Sequence, residues 1–162
     1  MRSGAAVLGV GVAVLASLAS ACAGDPTPGG PDVGATSGGP AGSARLVDDT
    51  GRDDVPDGGG WVALIPADRV AEVWQAAGSD PGADLTYAAV TVTSAQVEAV
   101  GGLTRPVSED GSFELGLTGP VVVCRVPGEL DSGSTRGCAR VQLDEDSRIE
   151  ISWGEAGFRV SG

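Results

Sequence analysis

Apolar residues follow three patterns along this chain, and each pattern predicts a different kind of segment. Residues 4–21 form one long run without a charged residue, made mostly of Ala, Val, Leu and Gly. Residues 23–44 contain almost no large apolar side chains, and 11 of the 22 are Gly or Pro. From Trp61 onwards, short apolar runs alternate with clusters of Gly, Pro and Asp, which is typical of short β-strands joined by turns.

Seven short runs in this third part carry the strand prediction. A continuous run ending at Pro66 predicts a strand buried on both faces. In another run, Phe113, Leu115 and Leu117 alternate with Glu114 and Gly116, which predicts one buried and one solvated face. The Asp110-Gly111 dipeptide before it is a β-hairpin signal. The predicted strands are Trp61 to Ile65, Thr86 to Thr93, Leu103 to Ser108, Ser112 to Leu117, Val121 to Val126, Cys138 to Leu143 and Arg148 to Trp153. Arg45 to Val47 is a candidate first strand, and Gly157 to Val160 is a candidate last edge strand.

One helix is expected, directly after Pro66. Val70, Val73, Trp74 and Ala77 recur at helical spacing, and Gly78 supplies a stop. Residues 94–100 are compatible with either a helical turn or an irregular strand. Frequent turns and a single helix predict a mainly β fold, namely a small antiparallel seven-stranded sandwich of the transthyretin-like or Ig-like type.

The N-terminal run has the features of a bacterial lipoprotein signal. Arg2 provides the positive start, the apolar run follows, and Ala19-Ser20-Ala21 are small residues placed directly before Cys22. We therefore expect cleavage before Cys22 and attachment to the membrane through a diacylglycerol and acyl chains on that cysteine. Ordinary secretion with cleavage of the same bond, and an uncleaved membrane anchor, are the alternatives. Leu is usual at the position of Ala19.

These patterns divide the chain into three parts. Residues 1–21 are predicted to be the signal peptide, 22–58 a lipidated cysteine followed by a flexible Gly/Pro-rich acidic linker, and 59–162 the β-sandwich domain. The linker is expected to be disordered, because so few apolar side chains cannot offset the entropy of ordering it. The expected location is the extracytoplasmic face of the cell membrane.

Composition narrows the possible chemistry. All ten cations are arginine, the acidic residues number 22, and the formal net charge is −12. This charge argues against a nucleic-acid partner, because phosphate neutralisation needs clustered cations. The absence of histidine and lysine removes the commonest general base, the commonest metal ligand and the Schiff-base amine. We therefore expect no cofactor, no metal and no enzymatic activity.

The three cysteines are expected to have two fates. Lipidation would use Cys22, which leaves Cys124 and Cys138 to pair in an oxidising compartment. Closing a loop of about 15 residues contributes about 3 kcal/mol in the chain-entropy model. The alternative, a redox or metal-binding thiol pair, usually has a Cys-x-x-Cys spacing that this pair lacks.

The stretch Val107-Ser108-Glu109-Asp110-Gly111-Ser112-Phe113-Glu114-Leu115, continued by Gly119 to Val126, resembles the carboxypeptidase regulatory-like group of transthyretin-like domains. Those domains repeat a T/S-x-D-G-x-F-x-L pattern, and Trp61 to Pro66 is similar to their early strand. The resemblance covers about residues 57–126, and the predicted helix and cysteine pair are not part of that pattern. It implies a seven-stranded sandwich with a non-catalytic accessory or binding role, and it carries over no active-site residues.

Acidic groups are the remaining candidates for chemistry. Asp48, Asp49, Asp53, Asp54 and Asp57 form one acidic loop, and Asp144, Glu145 and Asp146 form another. Neither has the spacing of a calcium-binding loop, and both are expected to be solvated. Glu114, Glu150 and Glu155 could supply a paired-carboxylate site, although Glu150 alternates with Ile149 and Ile151 and should face solvent. Trp153 is expected in the core, with exposure for sugar or protein binding as the alternative.

The sequence therefore predicts a membrane-anchored extracytoplasmic lipoprotein with a small non-catalytic binding domain of unknown ligand. The possible partners are the membrane, through Cys22, and an envelope protein or glycan. The alternative is a carboxylate-based envelope hydrolase or its accessory subunit. High Ala, Gly, Val, Arg and Asp without Lys indicates a GC-rich genome, as in actinobacteria.

Overall fold

A computed structural model of the chain describes residues 40–46, 55–154 and 157–162. The predicted signal peptide, Cys22 and the linker up to residue 39 lie outside these residues. So do Asp48, Asp49, Asp53, Asp54 and Glu155. Within the described ranges, no helix is long and apolar enough to cross a membrane.

The described residues form nine strands, two short α-helices and one 3₁₀ turn. The helices are α1 (Val70–Ala76) and α2 (Ser94–Ala99), and the 3₁₀ turn spans Leu85–Tyr87. The strands are β1 (Ala41–Leu46), β2 (Val55–Pro56), β3 (Trp61–Pro66), β4 (Leu103–Pro106), β5 (Ser112–Glu114), β6 (Gly119–Val126), β7 (Gly137–Leu143), β8 (Arg148–Gly154) and β9 (Gly157–Ser161).

These strands make two sheets. Sheet A has the order β2-β1-β8-β9, and β5 also pairs with β1. Sheet B has the order β4-β3-β6-β7. Every pair is antiparallel except β1 with β8, which run parallel from Ala41↔Arg148 to Leu46↔Trp153. The prediction of a mainly β sandwich is confirmed.

Two apolar clusters explain the two strand patterns seen in the sequence. The first lies between the sheets and includes Val62, Leu64, Val121, Val123 and Ile151. The second covers the opposite face of sheet B with α1, α2 and the connecting loops. The central strands of sheet B are therefore buried on both faces, which is why β3 and β6 read as continuous apolar runs. Sheet A buries one face, and β8 accordingly alternates.

The structure corrects the prediction at the start of the domain. β1 lies within residues 22–58, which we predicted to be linker with a candidate first strand only at Arg45 to Val47, and it occupies the centre of sheet A. Its first four residues are Ala, Gly, Ser and Ala, which carry no apolar strand signal. Close packing requires small residues here, because a Cβ on Gly42 would come within 2.3 Å of Cζ of Phe113. The sandwich therefore includes residues from Ala41 onwards and has nine described strands instead of seven.

Two further local predictions are revised. The ambiguous segment 94–100 contains α2, which gives the domain a second helix; Thr93 and Gln96 form its capping box. At Asp110-Gly111 the chain makes the expected tight turn, with the Gly111 N–H donating to Ser108 O at 2.9 Å. However, β4 pairs with β3 in sheet B and β5 pairs with β1 in sheet A. The turn therefore crosses between sheets, and the predicted hairpin is wrong.

Candidate functional site

A buried arginine closes one end of the inter-sheet core. Arg125 lies on β6, and its side chain is 0% exposed. Its Nη1 donates to the carbonyls of Trp61 at 3.1 Å and Val126 at 2.9 Å, and its Nη2 donates to that of Gly59 at 2.5 Å. A guanidinium buried in this way is tolerated because its donors are satisfied and its charge is paired.

The charge partner is Asp57, which precedes β3. Arg125 Nε donates to Asp57 Oδ2 at 2.9 Å, and Nη2 donates to the same oxygen. Burial lowers the pKa of Arg125, and the hydrogen bond and charge of Asp57 oppose that effect. Asp57 was placed with the acidic loop in the sequence analysis. The structure shows it bound to Arg125, with only 22% of its side chain exposed.

Trp153 connects this ion pair to the surface. The guanidinium carbon of Arg125 lies 5.5 Å from the centroid of the indole ring, and that of Arg136 lies 5.2 Å from it. Both are within the range of cation–π attraction. Trp153 is 6% exposed, as expected for a core residue. Its buried Nε1 has no acceptor among the described residues.

A cleft of about 310 Å³ opens above this indole, at the end of the sandwich. We call it the aryl–arginine cleft. Tyr87, at the end of the 3₁₀ turn, is 71% exposed on its wall. The cleft is lined by Thr86, Tyr87, Arg136, Trp153, Gly154, Gly157 and Phe158.

Two glycines allow the 3₁₀ turn to approach the strands that frame the cleft. A Cβ on Gly137 would lie 2.6 Å from the carbonyl oxygen of Thr86 and from Cβ of Phe158. Gly157 has φ +85°, and a Cβ there would lie 3.2 Å from Cγ2 of Thr86. The Asp84 carboxylate caps the turn by accepting from the Thr86 N–H at 2.9 Å. Tyr87 is therefore presented on a fixed turn.

Thr135 fixes the segment that carries Arg136. Its buried hydroxyl donates to Ala88 O at 2.7 Å and accepts from the Val90 N–H at 3.0 Å. Its own N–H donates to Val90 O at 2.9 Å. These three bonds join the residue before Arg136 to the segment that follows Tyr87. The two exposed side chains of the cleft are thus positioned by one hydrogen-bonded network.

The predicted disulfide is confirmed and supports the same region. Cys124 and Cys138 face each other across β6 and β7, with a Cα–Cα distance of 4.1 Å. Both cysteines are buried, on the helix side of sheet B. Cys124 is adjacent to Arg125, and Cys138 follows Arg136 by two residues. The bridge therefore joins β6, which carries Arg125, to the start of β7, which directly follows Arg136.

The carboxylates considered for catalysis are not gathered in a cleft. Glu114 on β5 and Glu150 on β8 lie on the same outer face of sheet A, but β1 separates them, which corresponds to about 10 Å between strand axes. Glu150 forms an ion pair with Arg45 at 3.0 Å, with both side chains 42% exposed. The prediction that Glu150 faces solvent is confirmed. Glu155 lies outside the described residues.

The second acidic loop is a surface turn. Asp144, Glu145 and Asp146 are exposed between β7 and β8. The Asp144 N–H donates to Ser147 Oγ at 2.7 Å, which closes the turn. Across the described ranges, no group of three or more acidic or cysteine side chains is arranged to hold a metal ion.

A larger cleft of about 430 Å³ lies on another side of the sandwich, between β4 and β5. Its aromatic residue, Phe113, is buried, and Arg105 lines it with a buried Nε that lacks an acceptor in the described part of the chain. Ala41, which also lines it, directly follows Pro40, the first described residue. Nothing in the structure shows what covers this opening, so the aryl–arginine cleft is the stronger candidate site.

Sequence reasoning missed most of this site. Trp153 was considered for binding, but Tyr87 and Arg136 carried no pattern that would single them out. Tyr87 lies in the run Thr86 to Thr93, which we predicted to be a strand and which instead begins within the 3₁₀ turn Leu85–Tyr87, and Arg136 lies in a polar loop. Only the fold brings the two together. Arg125 could have been found from the sequence, because a single charged residue within an apolar run indicates a buried and paired cation.

Comparison with known proteins adds little to this description. No protein-family model matches the chain, and no curated protein matches it. Among solved structures, the chain is similar to a candidate carbohydrate binding protein from Pseudomonas aeruginosa, with 15% identity and a TM-score of 0.41. That similarity covers 71% of this chain and 87% of the other.

Proposed function

We propose that this protein is a membrane-anchored extracytoplasmic domain that binds a cell-envelope glycan in the aryl–arginine cleft and does not alter it chemically. One observation carries the proposal: a fixed turn presents Tyr87, 71% exposed, beside Trp153 and the guanidinium of Arg136. Small-molecule sites are typically clefts of about 300–1,000 Å³ lined by aromatic residues and a few polar groups. A volume of about 310 Å³ suits a single sugar residue.

The surroundings of the cleft favour binding over catalysis. The chain has no histidine or lysine, and the described residues that line the cleft include no carboxylate. Hydrolysis of a glycosidic bond usually needs two carboxyl groups flanking that bond. Tyr87, which is 71% exposed, instead offers a ring face, against which the apolar face of a sugar ring packs.

The membrane attachment rests on the sequence of the first 22 residues. The charge, the apolar run and the small residues before Cys22 support export and lipidation. The confirmed disulfide is consistent with an oxidising compartment. Mass spectrometry of the mature N-terminus should find a diacylglycerol on Cys22, and an unmodified cysteine would remove the anchor from the proposal.

The binding role can be tested with the full mature chain carrying Cys22→Ser, which lacks the predicted lipid attachment site. We expect saturable binding to a panel of bacterial envelope glycans, with no release of shortened products on chromatography. Tyr87→Ala should weaken binding about tenfold, since one ring face contributes roughly 1.4 kcal/mol of apolar contact. Val55→Ala is the matched control, because Val55 is an exposed apolar residue outside the cleft. Equal binding by the two variants, or release of products, would contradict the proposed function.

A further inference from the structure

We infer that the glycan bound in the aryl–arginine cleft carries a carboxylate, and that Arg136 is the residue that selects it. The inference rests on the proposed function and goes further, because it names an acidic sugar such as a hexuronate as the ligand class. Three observations support it: the unused donors of Arg136, the charge balance beneath it, and the geometry of its support.

The guanidinium of Arg136 makes no hydrogen bond or ion pair with the residues that the structure describes, which is unusual among the arginines of this protein. Arg136 and Arg159 are the two described arginines without a side-chain hydrogen bond or ion pair to another described residue. Six others donate to a carboxylate or a carbonyl: Arg45, Arg69, Arg105, Arg125, Arg140 and Arg148. With 22 acidic residues against ten arginines, an unpaired guanidinium in a cleft is available for an outside carboxylate.

Among the described residues around the indole, two positive charges face one negative charge, which favours the binding of an anion. Arg125 and Arg136 both lie over Trp153, and Asp57 pairs with Arg125 alone. Burial is the main cause of the lowered pKa of Arg125, and the positive charge of Arg136 lowers that pKa further because the two cations repel each other. A ligand carboxylate on Arg136 would offset this repulsion. The exposed acids elsewhere on the chain would repel the same ligand, which leaves the cleft as its favoured position.

The support of Arg136 makes it suitable for selection by shape as well as charge. The indole face at 5.2 Å and the network of Thr135 hold its position. A planar guanidinium can then offer two parallel N–H donors to a carboxylate, which a lysine cannot do. Tyr87 lies on the same cleft and would contact the apolar face of the sugar ring. The arrangement therefore matches a ring that carries a carboxylate.

The test compares matched acidic and neutral sugars on the full mature chain carrying Cys22→Ser. Binding of trigalacturonate and of galactotriose is measured by isothermal calorimetry and by ligand-observed NMR. We expect trigalacturonate to bind at least tenfold more tightly. Arg136→Gln should weaken trigalacturonate binding by roughly 10- to 100-fold and leave galactotriose binding unchanged. Arg136→Lys should recover only part of that loss.

Arg159→Gln is the matched control, because it removes one unpaired positive charge from an exposed position on β9 outside the cleft. It should bind trigalacturonate as the wild type does. Unfolding midpoints of the variants, measured by circular dichroism, separate loss of binding from loss of fold.

Each other outcome has a definite meaning. Equal affinity for the acidic and neutral trisaccharides, or full binding by Arg136→Gln, overturns the acidic-sugar inference and leaves the glycan-binding function in place. Binding of neither sugar, together with a negative result on the envelope glycan panel, overturns both. Tighter binding of a short peptide through its C-terminal carboxylate would show that the carboxylate chemistry is right and the sugar class is wrong.

Discussion

Substitution of Asp57 should destabilise this domain far more than substitution of an ordinary surface acid. Asp57→Ala removes the charge and the side-chain oxygen that faces Nε and Nη2 of Arg125, whose side chain is 0% exposed. The arginine cannot move into water without leaving the core. A positive charge would therefore remain buried without its partner, which is the costly case for a buried ion pair.

The expected magnitude follows from the exposure and the remaining contacts. Loss of one partner from a fully buried pair costs about 3–5 kcal/mol. Here Asp57 is 22% exposed, and the carbonyls of Asp57, Gly59, Trp61 and Val126 continue to accept from the guanidinium. We therefore expect about 2–3 kcal/mol for Asp57→Ala. Asp57→Asn keeps an acceptor oxygen and should cost about 1–2 kcal/mol.

Urea unfolding at pH 7, followed by tryptophan fluorescence and circular dichroism, measures these changes. Glu150→Ala is the matched control, because the Arg45–Glu150 pair is 42% exposed on both sides and such pairs contribute about 0.2–1 kcal/mol. Adding Arg125→Met to Asp57→Ala should cost less than the sum of the two single changes, by about 2 kcal/mol. If Asp57→Ala lowers the free energy of unfolding no more than Glu150→Ala does, the argument that Asp57 stabilises the buried charge of Arg125 is refuted.

The remaining predictions concern the bridge, one turn and one titrating group. Because Cys124 and Cys138 are buried, their bridge should resist reductant in the native state. The two cysteines are 14 residues apart, so reducing the bridge in the unfolded chain should lower the free energy of unfolding by about 3 kcal/mol. Identical urea transitions with and without reductant would contradict this. Gly111→Ala should lower the free energy of unfolding by at least about 1 kcal/mol more than Gly78→Ala does. Both glycines have positive φ, but of the two only Gly111 would place a Cβ against backbone, 2.4 Å from the carbonyl oxygen of Ala44. Equal unfolding midpoints would refute the clash. The hydroxyl and then the backbone N–H of Ser112 lower the pKa of Asp110, so its stabilisation is present above its unfolded pKa of about 4 and is lost as the pH falls through the lowered folded value. The stability gap between wild type and Asp110→Ala should therefore be largest near neutral pH and close in acid, and a gap independent of pH would exclude an electrostatic origin.

Several features of the fold were predictable because they depend on local patterns of burial. The continuous runs at β3 and β6 indicated strands buried on both faces, and the alternation at β8 indicated a half-buried strand. The disulfide followed from the number and spacing of the cysteines. Only the end of β1 was recognised, at Arg45 and Leu46. Its first four residues were missed because they are too small to show a pattern, although the same small size lets Phe113 pack over Gly42.

Strand pairing was less accessible to sequence reasoning. The Asp110-Gly111 turn was read correctly as a turn, and yet the strands on its two sides join different sheets. Likewise, nothing in β1 or β8 indicated that they would run parallel. A turn sequence specifies the local backbone, whereas the partner of a strand depends on which long-range pairing buries the most apolar surface.

The sequence by itself thus determined the sandwich class, the paired cysteines, the expected export signal and the absence of histidine and lysine chemistry. Tertiary structure alone decided the site, because Asp57, Tyr87, Arg125, Arg136 and Trp153 come from five separate segments that span almost 100 residues. Each residue type is ordinary in its own segment. Local pattern records whether a side chain is buried, and only the folded chain determines which charge lies over which ring.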